Sequence, residues 1–480
     1  MTSRPPHARL GLLGRLGLDR PELRAWVLYD VANSAAVTSV ITAIFPIYFA
    51  RVAAARLAPA VATQRYALAT TLGLVCVAVL APVLGALADV RPMKKPLLGA
   101  FAALGASATA ALFFVGQGDW LLAAALLVVL NVGLNGSFVF YDALLPHVAR
   151  GEELDRVSSA GYALGYLGGG VLLAAQLAWI TNPALLGIPA EGAATAAQAT
   201  LPTRIAFLSV AIWWVVFTLP LLLRIREPRV EASPPRQPAV DAFRRLRRTF
   251  GALRRHRQAT LLLVAFLVYN DGIGTIIRMA TIYGTEIGVS RGALIGAILL
   301  VQFVGVPCAF LFGGLAGRIG AKRAILAGLV VYAGIAVLGY AMKTAAHFFA
   351  LAILVGIVQG GTQALSRSLF ASLIPRSLSG EFFGFFAVFE KVAGILGPAT
   401  FAAAITLTGS SRIAILSVVV FFVLGGALLA AVDVEAGQRE ARQYEEVRTG
   451  VRFTEYSLSD PGSLEALPSR TVSTTCSHSS

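Results

Sequence analysis

The 480-residue sequence predicts an all-α membrane protein that crosses the bilayer twelve times, as two six-helix halves of like orientation. Three observations carry this expectation. Hydrophobic residues make up 57% of the chain and charged residues 14%, with a mean hydropathy of +0.74, a composition outside the range of water-soluble domains. The apolar residues gather into twelve stretches near the length that spans a bilayer, about 20 residues. A short string also recurs: Gly85-Ala86-Leu87-Ala88-Asp89-Val90-Arg91-Pro92-Met93-Lys94-Lys95 returns 228 residues later as Gly313-Gly314-Leu315-Ala316-Gly317-Arg318-Ile319-Gly320-Ala321-Lys322-Arg323. Each copy ends an apolar stretch with small residues and drops into a basic loop. Leu145-Pro146 matches Ile374-Pro375, and Gly165-Tyr166-Leu167-Gly168 matches Gly394-Ile395-Leu396-Gly397, both at an offset of 229. Duplicated halves of this kind point to transport.

Residues 1–24 precede the first span and are expected to be cytoplasmic. The first half, 25–223, holds spans near 25–50, 67–88, 97–116, 119–146, 157–181 and 205–223. The first of these is too long for a signal-peptide core and lacks a small-residue cleavage site, so it is expected to be retained. A basic cytoplasmic linker, 224–258, follows. Its first part, Glu227 to Pro238, is Pro-rich and reads as extended. Its second part sets Phe243, Leu246, Phe250 and Leu253 at helical spacing among seven arginines, which predicts an amphipathic helix on the inner leaflet, drawn to anionic headgroups. The alternative is a loop whose charge only keeps it inside. The second half, 259–431, holds spans near 259–283, 292–317, 324–341, 347–374, 380–407 and 413–431. Residues 432–480 lose apolar periodicity and end in a Ser/Thr-rich run, which predicts a disordered cytoplasmic tail.

The net charge of +15 is placed by topology. With the N-terminus inside, inner segments hold 30 Lys and Arg, outer loops 7 and spans 3. That is the positive-inside pattern, with both termini cytoplasmic, and it displaces a nucleic-acid reading. Cys76, Cys308 and Cys476 are scattered and the five histidines form no cluster, so no metal site or cofactor is expected. The sequence has no nucleotide-binding P-loop, so ATP is not expected to drive it.

A charge in a spanning helix costs at least ~2.5–3.5 kcal/mol on insertion scales, so each one needs a reason. Asp30, Asn33, Ser34 and Thr38 share one face of span one, and Asn131, Asn135 and Asp142 one face of span four. Asp271, Thr275 and Arg278 align on span seven, and Gln359, Gln363 and Ser366 on span ten, with Arg367 at the stripe's edge. In a two-half, twelve-span transporter of the major facilitator type, spans one, four, seven and ten line the central cavity, and the stripes fall on those four. Simpler roles stay open: Asn and Gln as contacts between helices, Asp142 as a solvated end residue, Asp30 as a gate or cap, Arg367 as a structural ion-pair member. Asp271 and Arg278 are about 10 Å apart along their helix and need partners elsewhere. Span eleven carries Glu390-Lys391, and the repeat offset matches Lys391 to Tyr162 in span five. Lys391 is expected to face the pore, with Glu390 as its neutralising neighbour or a proton carrier. The alternative is a compensated pair buried between helices.

Four strings, Tyr29-Asp30-Val31-Ala32-Asn33-Ser34-Ala35, Tyr269-Asn270-Asp271-Gly272-Ile273, Gln359 through Ser368, and Gly165 through Gly170, resemble the vacuolar amino-acid effluxer (autophagy-related) group of the major facilitator superfamily. The resemblance runs from about Trp26 to Val432, outside the linker and both tails. It implies the major facilitator fold and, from the group's eukaryotic members, export of neutral amino acids; for a bacterial member it implies the inner membrane. Gly317 stands where the first loop motif has Asp89, and Pro92 replaces a glycine, so an asymmetric inner gate is expected.

The resulting expectation is a monomeric, non-enzymatic secondary transporter that works by alternating access and is coupled to protons. Arg367 is expected to hold a substrate carboxylate in its planar fork, with Arg278 and Lys391 as further candidates. Asp30, Asp271 or Glu390 would take an amine or a proton, and Asn33, Asn131, Asn135, Tyr162, Tyr269, Asn270, Gln359 and Gln363 supply polar contacts. The conformational gate comprises Gly85, Asp89, Arg91, Lys94 and Lys95 with Gly313, Arg318, Gly320, Lys322 and Arg323. Asp89 is expected to accept hydrogen bonds from the N-terminus of span eleven near Gly380. A sugar, drug or lysolipid carrier, an intramembrane transferase and a non-transporting receptor are the rival readings.

Overall fold

The computed structural model describes residues 12–188, 196–228, 256–286, 289–408 and 411–449. The first half contains α1 (Pro21–Ala53), α2 (Pro59–Val90), α3 (Lys94–Phe114), α4 (Trp120–Val148), α5 (Leu154–Thr181) and α6 (Ala196–Arg224). The second contains α7 (Arg257–Glu286), α8 (Arg291–Ile319), α9 (Ala321–Tyr340), α10 (Ala345–Ser372) and α11 (Ser379–Thr408). It closes with α12, built of Ser411–Ser417 and Val419–Ala430. Eleven of these helices have the length and hydropathy of a bilayer crossing; α11, with 30 residues, completes the twelve.

Local chemistry sets the helix ends. Pro21 and Pro59 open α1 and α2, where the missing N–H has no intrahelical partner to lose. Ser290 and Thr344 cap α8 and α10 by accepting from Ala293 and His347. Gly320, at φ +86°, makes the turn between α8 and α9 that a side chain would oppose. α1 winds wide, as π-helix, through Ala36–Ile44 and Phe49–Ala53. Pro46, between these stretches, has no N–H to return to the preceding turn.

The halves meet where α2 packs on α11 and α5 packs on α8 and α10. Small residues permit the approach, as expected where apolar burial gives no preference between helices and lipid. A Cβ at Gly85 would strike the carbonyl of Gly380, and one at Gly313 would lie 2.8 Å from Ser159. Exposed apolar side chains such as Ile212, Leu223, Val330 and Val423 sit on α6, α9 and α12.

Two expectations change. The first, second and sixth spans start earlier than the apolar stretches suggested, at Pro21, Pro59 and Ala196. The tail, expected to be disordered from 432, begins with a helix, α13 (Val434–Thr449). Glu445 of α13 accepts from the Ser377 N–H at 2.8 Å, Gln438 bonds Ser372, and Tyr444 meets the His256 ring at 5.7 Å. These single contacts leave little apolar periodicity to read. The amphipathic helix expected within the linker and the Ser/Thr-rich end of the tail lie outside the described residues.

Candidate functional site

Both halves contribute to one cavity of about 1090 Å³. Its wall holds Asp30, Asn33 and Thr38 of α1, Asn131 and Asn135 of α4, Tyr162 and Tyr166 of α5, and Asn270 of α7. Gln302 of α8, Gln359 and Gln363 of α10, and Glu390 and Lys391 of α11 add to its polar part. The wall climbs past Leu294, Val301 and Ile335, mostly apolar, to Met342 and Phe348 beside the α9–α10 turn. That turn lies on the face opposite the interhalf linker, so the cavity opens away from the linker face.

The amide nitrogens of Asn131 and Asn135 donate to carbonyls of their own helix, Leu127 and Asn131, both at 2.9 Å. Gln302 donates to Thr38 across the halves at 2.5 Å. Asn33 touches the wall, while its Nδ2 is buried with no hydrogen-bond partner among the described atoms. Lys391 and Glu390 pair at 3.3 Å, and both face the cavity. They are adjacent in sequence, so α11 brings one cation and one anion to a wall in which Asp30 of α1 is a second anion.

Arg367 lies beneath this floor, not in the wall. Its Nη2 reaches Asp30 Oδ2 at 3.2 Å and the Ser158 carbonyl at 3.1 Å; its Nη1 reaches Asp142 at 3.2 Å, and its Nε donates to Ser158 Oγ at 2.9 Å. The rings of Trp26, Tyr141 and Tyr162 surround the guanidinium at 4.8, 5.4 and 4.7 Å. Tyr141 also donates to Asp30 Oδ2 at 2.7 Å. The planar fork expected to take a substrate carboxylate already holds two protein carboxylates, one of them Asp142, which the sequence left open as a solvated end. Ser158, Trp26 and Tyr141 carried no signal of this role beyond polarity or aromaticity within a span.

The other predicted residues divide. Asp271 is fully buried and accepts from the Gly397 N–H of α11 at 2.6 Å, and Tyr269 bonds Ser366 at 2.7 Å. Neither belongs to the cavity wall, although Asn270 and Thr275 beside them do. Gly397 makes the difference: a Cβ there would strike Thr275 Oγ1, so α11 comes close enough to take the Asp271 side chain. The side chain of Arg278 lies outside the described residues.

Toward the linker face, further bonds join the halves. Asp89 accepts from the Gly380 and Glu381 N–H groups at 3.0 and 2.8 Å, the contact expected at the start of span eleven. Lys94 pairs with the same carboxylate at 2.6 Å, both side chains being almost wholly buried. Arg91 lies in the adjoining turn. Glu227, just past α6, binds the Lys94 and Lys95 N–H groups with its two oxygens at 2.7 and 2.8 Å, filling the N-terminus of α3. Lys95 Nζ returns to the Ile225 carbonyl at 3.0 Å. His147 meets Ser379 at 3.1 Å, and Ser368 donates to Asp155 at 2.5 Å. In the second motif copy Gly313 packs on Ser159 of the first half, but the basic end works within its own half: Lys322 donates to Ala430 and Val432 at the end of α12, both at 2.7 Å, while Arg318 and Arg323 are exposed. The cavity is therefore open on one side and closed on the other.

Known proteins share the sequence and the fold. The uncharacterized MFS-type transporter YxiO of Bacillus subtilis is 35% identical over 87% of this chain and 96% of its own length. Autophagy-related protein 22-1 of Phaeosphaeria nodorum is 27% identical over 74% of this chain and 73% of its own. Among solved structures, the major facilitator transporter FucP in its outward conformation superposes with a TM-score of 0.63 at 12% identity, covering 86% of this chain and 98% of its own. A bacterial homologue of the iron transporter ferroportin in its outward-facing state gives 0.59 at 17% identity, covering 86% and 98%. The vacuole effluxer Atg22-like family model matches residues 60–442, and the chain belongs to that family of major facilitator transporters.

Proposed function

We propose that the chain exports amino acids or similar zwitterions by alternating access, coupled to protons, from a membrane in which the linker face is cytoplasmic. The observation that carries this reading is the cavity: it opens on one side only, is sealed on the other by bonds between two like halves, and bears one cation, Lys391, with two anions, Glu390 and Asp30, in its polar wall. Lys391, which faces the cavity, is the partner for a substrate carboxylate, in place of Arg367. Asp30 or Glu390 takes the ammonium. The excess of Lys and Arg on the linker face supports its cytoplasmic placement, and the family's effluxer description supports the direction.

The reading is tested by thermal shift of the purified chain against amino acids, sugars and organic acids of similar size. Stabilisation by one or more neutral amino acids and by no sugar is expected. Stabilisation by sugars alone would replace the zwitterion reading with a sugar carrier.

A further inference from the structure

The cavity floor and the bond network under it share one carboxylate. Asp30 forms part of the wall, and its Oδ2 accepts from Arg367 and from Tyr141. Both bonds go to that one oxygen. The cluster sets two carboxylates, Asp30 and Asp142, against one guanidinium. The neighbouring charged pair, Glu390 with Lys391, is neutral as a unit. The remaining titratable groups around Asp30 are phenols: Tyr29 of its own helix, Tyr141 of α4, and Tyr162 and Tyr166 of α5. With both acids ionised, the floor therefore holds one negative charge without a matching positive one, buried where such a charge is expensive.

We infer that the cargo's ammonium group and the coupling proton are alternative occupants of this Asp30–Asp142 cluster, and that either one releases Arg367 and so unlocks the linker face. The inference rests on the zwitterion reading above and adds to it which group of the cargo triggers the change. A cation arriving from the cavity neutralises the surplus charge and draws on the carboxylate that holds Arg367. Arg367 is on α10, while Asp30, Asp142 and Ser158 are on α1, α4 and α5, so weakening this contact loosens one half from the other. Tyr162 stands in the wall and against Arg367 at once, 4.7 Å from the guanidinium carbon to the ring centre, so cargo pressing on it also reaches the network. An empty carrier keeps its surplus charge and stays locked, and two cations cannot occupy the single charge together. Those two conditions produce exchange of cargo for proton.

The test uses three isosteric probes: L-leucine, 4-methylpentanoate, which lacks the ammonium, and 3-methylbutylamine, which lacks the carboxylate. Binding is read by thermal shift. Opening of the linker face is read as the reaction rate of a thiol at Ser379→Cys in a background without Cys76, Cys308 and Cys476; Ser379 is fully buried against His147 in the closed state. Hydrogen–deuterium exchange across residues 376–386 of the unsubstituted chain reads the same event if the cysteine variant folds poorly. Leucine and 3-methylbutylamine should raise both rates about fivefold or more, the lower end of a coupling between two sites. 4-Methylpentanoate should bind without raising either, and Asp30→Asn should remove the response to leucine. Equal opening by all three probes, or a parental response in Asp30→Asn, overturns this inference and leaves the zwitterion reading standing. If leucine does not bind, the neutral amino acid with the largest thermal shift and its own deaminated and decarboxylated analogues replace the three, and binding of no neutral amino acid overturns both.

Discussion

Arg367 shows how a side chain's partners decide its role. Four of its guanidinium bonds are taken by Asp30, Asp142 and Ser158, which lie in the other half, and three rings exclude water around it. Removing one partner of a buried pair costs about 3–5 kcal/mol, because the other charge stays behind. Arg367→Lys keeps the charge but loses the fork, so it should weaken closure of the linker face and slow turnover at least about tenfold, ~1.4 kcal/mol of barrier. Equilibrium affinity for cargo should change much less. Transport and binding measured on the same proteoliposomes separate the two, and a variant that binds poorly but turns over normally would return Arg367 to the substrate site. That Arg367 needed a strong reason to sit in a span was legible from its charge. Which neighbour supplied the reason was not, because Asp142 and Ser158 lie more than 200 residues away in sequence. Asp271 misled in the opposite direction: it shares a helical stripe with Thr275, but the close approach of α11 at Gly397 takes it out of the wall.

At the scale of elements, the repeated loop motif was legible down to its contact. Asp89 at the end of α2 meets the free N–H groups at the start of α11, where the helix dipole favours an anion. Asp89→Asn keeps an acceptor but loses the charge opposite Lys94, so turnover should fall while equilibrium affinity holds. Equal losses in both would place Asp89 in binding instead. The Glu227 clamp on α3 was hidden, since nothing in a Pro-rich linker marks one carboxylate as a helix cap. α13 was hidden for a related reason: besides the contacts of Glu445, Gln438 and Tyr444, its buried stripe is only Val434, Gly437 and Ala441, too small to stand out as apolar periodicity. Truncation after Asp433 should lower the melting temperature by about 2–4 °C, whereas truncation after Thr449 should leave it unchanged. An equal melting temperature for both truncations would show that α13 adds nothing to the α10–α11 turn.

At the scale of the molecule, composition and the offset of the repeat carried the architecture. Twelve apolar stretches became twelve helices, because a bilayer leaves an α-helix or a closed barrel as the only ways to satisfy a spanning backbone. The side on which the cavity opens was not legible, since the same sequence must build both open faces and the balance between them rests on a few interhalf bonds. On the proposed reading, one cavity carries a zwitterion from one face to the other, with Lys391 holding its carboxylate. The most direct measurement of that reading is leucine movement in proteoliposomes under an imposed pH gradient, with the parent chain beside Lys391→Met. The parent should move leucine against its concentration gradient, and the variant should lose most of that movement while still folding into the membrane. Leucine transport by Lys391→Met at the parental rate, or no gradient-driven movement of any neutral amino acid by the parent, would contradict the account.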